Sequence, residues 1–301
     1  MPSWLEQDFN ELETWMSLSF CVLASGSSGN CTAVGWHEHG RARWILIDAG
    51  LSPRMTATRL HSVGISLRDV SDILLTHLDW DHCHAGWHAA LERFGLTVHV
   101  HRRHQRVAGR CGLPVRSTCV FDDSIRLGDV IVQGSVLAHD ALGSIAYLVQ
   151  HGQARLGLAT DLGRVPHSLF QQFRDLDALA IESNYDPAMQ EQSARPQFLK
   201  RRIMGGSGHL SNAQALDAVL EIDRQSKLQH IALLHLSSEC NCPLVVSSLY
   251  RHRAPHLADR ITITGQHEPT TVMHLSSAPR ACRDDANACQ QLSLFATAEV
   301  G

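Results

Sequence analysis

No apolar stretch in this 301-residue chain approaches the roughly 20 residues an α-helix needs to cross a bilayer, so no partnership with a membrane is expected. A surplus of positive charge is missing too. The formal net charge is −4 with histidines neutral, so any contact with nucleic acid must come from a local patch. Nine cysteines form an odd set without CxxC pairs, as expected of reduced thiols in the cytoplasm. Cys83, Cys240 and Cys242 lie where a metal could use them, although packing is the commoner use of such thiols. Residues 1–15 are acidic and lack the basic-then-apolar layout of a signal peptide. They read as an N-terminal extension, or as a mis-called start ahead of Met16.

What is present is an ordinary globular composition, 44% apolar, in a chain long enough for one large domain or two average ones. Short apolar runs bounded by turn residues recur at 18–24, 44–48, 72–76, 96–100, 129–137, 145–149, 155–159, 177–181, 230–234 and 261–265. Helical patterns lie between several of them: Ala85–Phe94, Pro166–Phe173, Ser211–Ile222 with an N-cap serine, and Pro243–Tyr250 with proline in its first turn. Strands mixed with surface helices indicate an α/β architecture with its site on loops at strand ends. The expected domain spans 16–275. Residues 276–301 have no sustained periodicity and read as a flexible tail.

One segment stands apart. Directly after the apolar run Ile73-Leu74-Leu75, the residues His77, Asp79, Asp81 and His82 fall within six positions. An extended strand rises about 3.3 Å per residue and cannot fold them around one ion, whereas a loop at a strand's end can aim alternate side chains at two neighbouring ions. Imidazoles and carboxylates are the ligands of Zn, Mn and Fe sites. Further candidates each close an apolar run: His139 after Val136-Leu137-Ala138, Asp161 after Leu158-Ala159-Thr160, and His235 after Leu233-Leu234. His209 stands just ahead of a helix. Singly, each is more often an ordinary polar residue. Together they repeat one arrangement, in which a strand delivers a ligand to a common rim.

The order His-x-Asp-x-Asp-His, then His, Asp and His resembles the metallo-β-lactamase superfamily. Ala24-Ser25-Gly26-Ser27-Ser28-Gly29-Asn30-Cys31, Leu46-Ile47-Asp48-Ala49-Gly50, Ala138-His139-Asp140, Ala159-Thr160-Asp161-Leu162-Gly163, Ile181-Glu182-Ser183-Asn184, Gly208-His209-Leu210-Ser211-Asn212 and Leu234-His235-Leu236-Ser237 further resemble its YycJ/WalJ-type branch of compact bacterial proteins associated with DNA exonuclease activity. The resemblance covers roughly residues 17–275. It implies an αββα four-layer sandwich, a single domain with a dinuclear site on one edge. Only 47 residues separate Asp161 from His209, too few for the inserted β-CASP-type cap of larger nucleases.

Carried over, the resemblance implies that His77, Asp79 and His139 hold one divalent ion, that Asp81, His82 and His235 hold the second, and that Asp161 bridges. Asp79 departs from the family, where most members have histidine; a carboxylate there favours Mn or Fe relative to Zn. Asp48 would orient a ligand histidine. His209 would contact the scissile phosphate or protonate the leaving oxygen. Two ions lower the pKa of a shared water, so a metal-bridging hydroxide is the expected nucleophile, with Asp81 and His209 as the catalytic residues.

Phosphodiesters suit such a site, so the expected activity is that of a metal-dependent hydrolase, a DNA exonuclease acting 5′→3′. The alternatives are a hydrolase of a small substrate (a cyclic phosphodiester, lactone or thioester) or a di-iron redox protein suggested by Asp79 alone. Lys200-Arg201-Arg202 and the run from His101 to Arg106 are candidate phosphate-binding patches. In the tail, Gln291-Leu292-Ser293-Leu294-Phe295 resembles the pentapeptide with which bacterial replication and repair proteins dock on the sliding clamp. Gln291, Leu292, Leu294 and Phe295 would be the contacts, an apolar anchor suited to a hydrophobic groove.

Overall fold

The fourteen strands segregate by sequence order into two sheets of seven. The structure, a computed structural model, describes residues 18–276. The expected extension 1–15 and the motif 291–295 lie outside the described residues. The first sheet holds β1 (Leu18–Ala24), β2 (Cys31–Glu38), β3 (Arg41–Ile47), β4 (Val70–Leu74), β5 (Thr97–His101) and β6 (Thr118–Phe121). The second holds β7 (Ser124–Leu127), β8 (Val130–Leu137), β9 (Ser144–His151), β10 (Ala154–Ala159), β11 (Ala178–Glu182), β12 (His230–Leu234) and β13 (Ile261–Ile263). The chain then returns as β14 (Met273–Leu275) to the outer side of β1, pairing Leu18 with Leu275.

Three apolar cores show how the layers stack. Leu18, Phe20, Val22, Ile45 and Ile47 face Val132, Tyr147, Leu156 and Ala180 between the sheets. The alternate residues Cys21, Leu23, Leu46 and Ile73 pack on the other face against Leu60, Trp87 and Leu91. Those three belong to α1 (Pro53–Ser62) and α2 (Trp87–Phe94); α3 (Gln105–Arg110) adds Ala108. On the far side, Leu148, Leu179 and Ile231 meet α4 (His167–Gln172), α7 (Asn212–Asp223) and α8 (Pro243–Arg253) through Leu169, Leu216, Val219, Val246 and Tyr250. The shorter helices α5 (Pro187–Gln192) and α6 (Gln197–Met204) lie between β11 and α7 in sequence. The order helix, sheet, sheet, helix is the expected αββα sandwich. Strands with both faces covered read as continuous apolar runs, which is why β1, β11 and β12 stand out in the sequence.

β2 did not, although it lies buried between β1 and β3. Its small residues are there for close packing: a Cβ on Gly35 would sit 2.5 Å from the Trp44 ring. β6, β7 and β14 are short and supply little apolar signal. α7 begins one residue after its N-cap Ser211, in a capping box with Gln214.

Backbone hydrogen bonds knit three loops beneath one end of the sandwich. Asn30 N–H donates to Asp81 O at 2.7 Å, Ala49 N–H to His82 O at 2.8 Å, and Gly50 N–H to Asn30 O at 2.9 Å. A Cβ on Gly50 would overlap the Asp81 carbonyl. Gly50→Ala is therefore expected to destabilise the fold by about 1–3 kcal/mol or more, measured by urea denaturation, and to weaken metal uptake in the same protein.

Candidate metal centre

At the end of the sandwich where β3, β4, β8, β10, β11 and β12 finish, the backbone turns sharply. Asp48, Asp140, Asp161 and His235 all adopt left-handed φ angles, 63°, 43°, 53° and 56°, within three residues of the ends of β3, β8, β10 and β12. This conformation is disfavoured for residues with a Cβ and persists where surrounding contacts determine it. Here it swings one side chain from each strand end onto a shared rim. Asn184 holds one such turn by donating Nδ2–H to His235 O at 2.7 Å, and Ser25 Oγ accepts His235 N–H at 2.7 Å.

The rim gathers His77, Asp81, His82, His139, Asp161, His209 and His235 about one pocket of about 650 Å³. Each imidazole is fixed through Nδ1. That of His82 pairs with Asp48 Oδ2 at 2.7 Å, and that of His77 with Thr76 Oγ at 3.0 Å. That of His139 pairs with Gly208 O at 3.1 Å. Glu182 Oε1 serves two rings at once, His209 at 2.8 Å and His235 at 2.9 Å. With Nδ1 committed, Nε2 of His77, His82, His139 and His235 faces the site's carboxylates, that of His82 also lying 3.0 Å from Asn30 Nδ2, the arrangement that sets ring orientation in metal sites. Asp48 is itself held by Thr76, whose N–H and hydroxyl both donate to its carboxylate.

Ligand atoms of His77, His139 and Asp161 lie within 4.8 Å of one another, and so do those of Asp81, His82 and His235. Asp161 reaches both groups: Oδ2 is 3.1 Å from His82 Nε2, and Oδ1 is 4.0 Å from His139 Nε2. A divalent cation fits these residues on a specific observation. His235 Nε2 is buried without a hydrogen-bond partner and stands 3.9 Å from Asp81 Oδ2. A buried unpaired nitrogen is costly, and a cation among these nitrogen and oxygen donors would satisfy it.

Electrostatics follow the burial. Loss of solvent and the neighbouring His82 hold His77 well below the ordinary imidazole range. His82 moves the opposite way: burial lowers its pKa, but Asp48 and Asp161 overcome that and raise it well above the usual value. For Asp161, burial opposes ionisation, yet His235 and His82 keep its carboxyl well below the carboxylate range. Burial raises Asp81. His209 is lifted to about 9, since Glu182 and Asp161 outweigh its desolvation.

Asp79 stands apart from both buried triads. Its carboxylate is 60% exposed, 3.8 Å from His77 Nε2, and it groups instead with His139 and Asp140 at the outer edge. The expected basic patch requires correction. Lys200 is buried and its ammonium donates to Glu191 O at 2.6 Å, so it is committed inside the protein. Arg201 is exposed but does not line the pocket. Arg202 does, paired with Asp140 at 2.8 Å. In the 101–106 run, Arg102 pairs with Asp122 and Arg103 donates to Leu142 O; neither lines the pocket. Pocket residues that the sequence reading gave no role include Trp80, Arg195 and Glu239, and Asn184 was quoted there only within a motif. Glu182 was likewise quoted without a role, although it closes the apolar strand β11 as Asp161 follows β10; that strand-end position was the available signal.

A sequence model described as the beta-lactamase superfamily domain matches residues 43–231. The exodeoxyribonuclease YycJ of Bacillus anthracis is 31% identical over 230 residues, covering 75% of this chain and 85% of that protein. The exodeoxyribonuclease WalJ of Streptococcus pneumoniae is 25% identical over 232 residues, covering 75% and 84%. Among solved structures, the metallo-β-lactamase fold protein YhfI of Bacillus subtilis matches 86% of this chain and 99% of its own, with a TM-score of 0.62 and 13% identity. Zinc-bound PqqB of Methylobacterium extorquens matches 84% and 99%, with a TM-score of 0.57 and 14% identity. At such identities the structures speak for the fold alone.

Removing the charge that orients His82 tests the centre without touching a candidate ligand. Asp48→Asn is expected to lower metal affinity by about 10–100-fold, read by competition with a fluorescent chelator.

Proposed function

The chain belongs to the metallo-β-lactamase superfamily, in its YycJ/WalJ-like group, and from that premise we propose that it is a DNA exonuclease, acting 5′→3′ in replication or repair. The observation that carries the reading is the uncapped pocket floored by imidazoles and carboxylates, with arginines on its wall. The names of the two relatives supply DNA as the substrate.

In this reading His77 and His139 would hold one divalent ion, with Asp79 reaching it from the exposed edge, Asp81, His82 and His235 would hold the other, and Asp161 would serve both. Bound there, Mn, Zn or Fe supplies Lewis-acid polarisation of a phosphoryl oxygen and acidifies water. The exposed carboxylate of Asp79 favours Mn or Fe. The protein's own groups do the rest. Asp81, raised in pKa by burial, lines the pocket 3.9 Å from His235 Nε2, where its carboxylate would help position the attacking water. Glu182 fixes His209 through Nδ1 and keeps the ring charged, so its Nε2 can give a proton to the leaving oxygen. Arg202 and Arg195 are paired with Asp140 and Glu239 at the pocket wall and would exchange those carboxylates for backbone phosphates.

Recruitment to the sliding clamp through Gln291, Leu292, Leu294 and Phe295 completes the proposal, supported by the sequence alone. Pull-down with the clamp is expected to lose its signal in the double variant Leu294→Ala, Phe295→Ala; equal recovery of both forms would remove this part.

Metal-reconstituted protein is expected to release nucleotides from 5′-phosphorylated DNA, with activity abolished by chelation. Asp161→Ala and His77→Ala should each reduce it by more than about a hundredfold, beyond the loss typical of an orienting residue. Hydrolysis of bis-p-nitrophenyl phosphate with none of DNA would move the assignment to small phosphodiesters.

A further inference from the structure

Between Asp79 and Asp81, the ligand loop presents an indole to solvent. Trp80 is 67% exposed, while Trp36 and Trp87 are buried and Trp44 is half-buried. A large apolar ring left in water beside a polar cluster forgoes the burial its size would otherwise secure. The loop beneath it is rigid. His82 N–H and Cys83 N–H both donate to Asp79 O at 2.9 Å, and Asp81 O accepts Asn30 N–H at 2.7 Å. The ring is therefore a platform whose backbone is already ordered, so a ligand laid on it need not fix the chain.

Its position defines what it can meet. Trp80 lines the same pocket as His77, Asp81, Arg195 and Arg202. Its Cα is one residue, about 3.8 Å, from the Cα of Asp81, so an indole reaching outward from there spans the short gap between a phosphate on the floor and the base attached to it. Aromatic rings stack on any base, and a sequence-tolerant contact suits an enzyme that must accept every nucleotide in turn. Resting on the nuclease reading above, we propose that Trp80 stacks on the base adjoining the scissile phosphate at the end of the strand being degraded, while Arg195 and Arg202 hold neighbouring phosphates.

The test uses full-length, metal-loaded protein and oligonucleotides, single-stranded and duplex, whose two terminal nucleotides, at one or the other end, are normal or abasic. Metal content and thermal unfolding first establish that Trp80→Ala and Trp80→Phe fold and load as the parent does. Stacking predicts that Trp80→Ala raises KM for normal DNA roughly five- to a hundredfold with kcat less affected, and that Trp80→Phe recovers most of the loss. Abasic ends should cost the parent a similar factor and cost Trp80→Ala almost nothing more. A phosphorothioate oligonucleotide that resists cleavage should also quench indole fluorescence in the parent more than in Trp80→Ala. Cleavage by Trp80→Ala with unchanged KM, or additive losses for the variant and the abasic end, overturns the stacking role and leaves the nuclease reading standing. A parent that neither cuts nor binds DNA overturns both.

Discussion

Buried negative charge is the constraint around which this molecule is organised. Asp48, Asp161 and Glu182 are each at most 2% exposed and converge on one end of the sandwich. Carboxylates removed from water need partners of opposite sign or directed hydrogen bonds. Here the partners are imidazoles. Asp48 takes His82 and Thr76, Asp161 takes His82 and His235, and Glu182 takes His209 and His235. Glu182 also accepts the backbone N–H groups of Leu162 and Leu210, tying the turn after β10 to the approach to α7. One set of contacts therefore fixes ring orientation and loop path together.

The same set explains the left-handed turns. A strained residue at a strand's end is tolerated because its backbone and side chain are held on the rim by groups from other strands. His235, for example, is held by Ser25 after β1, Asn184 after β11 and Glu182 at the end of β11. Fold and chemistry are not separable here: loosening the rim removes the reason for the turns, and relaxing the turns withdraws the ligands.

Much of this was legible in the sequence, for definite reasons. Strands covered on both faces leave unbroken apolar runs, and a charged or imidazole residue directly after such a run marks the rim; His77, His139, Asp161 and His235 were found that way. Glu182 follows the same rule, yet it was quoted only within a motif, since no neighbouring histidine in sequence suggested its role. Lys200-Arg201-Arg202 looked like one basic surface because sequence adjacency was read as spatial adjacency. On α6, successive residues point about 100° apart, so Lys200 turns into the protein while Arg202 reaches the pocket. β2 was hidden because close sheet packing demands small side chains such as Ala33 and Gly35, which carry little hydrophobic signal.

The return of β14 to β1 has an architectural consequence. β1 runs toward the rim, where Ser25 meets His235, and its antiparallel partner runs away from it, so Leu18 and Leu275 sit side by side at the opposite end. Seven residues of strand, roughly 20 Å, separate that end from the pocket mouth. Both ends of the described residues thus lie at the side of the sheet away from the opening. Neither β1 nor β14 therefore crosses the pocket mouth, and the pair that closes this edge of the sheet carries load at the end remote from the chemistry.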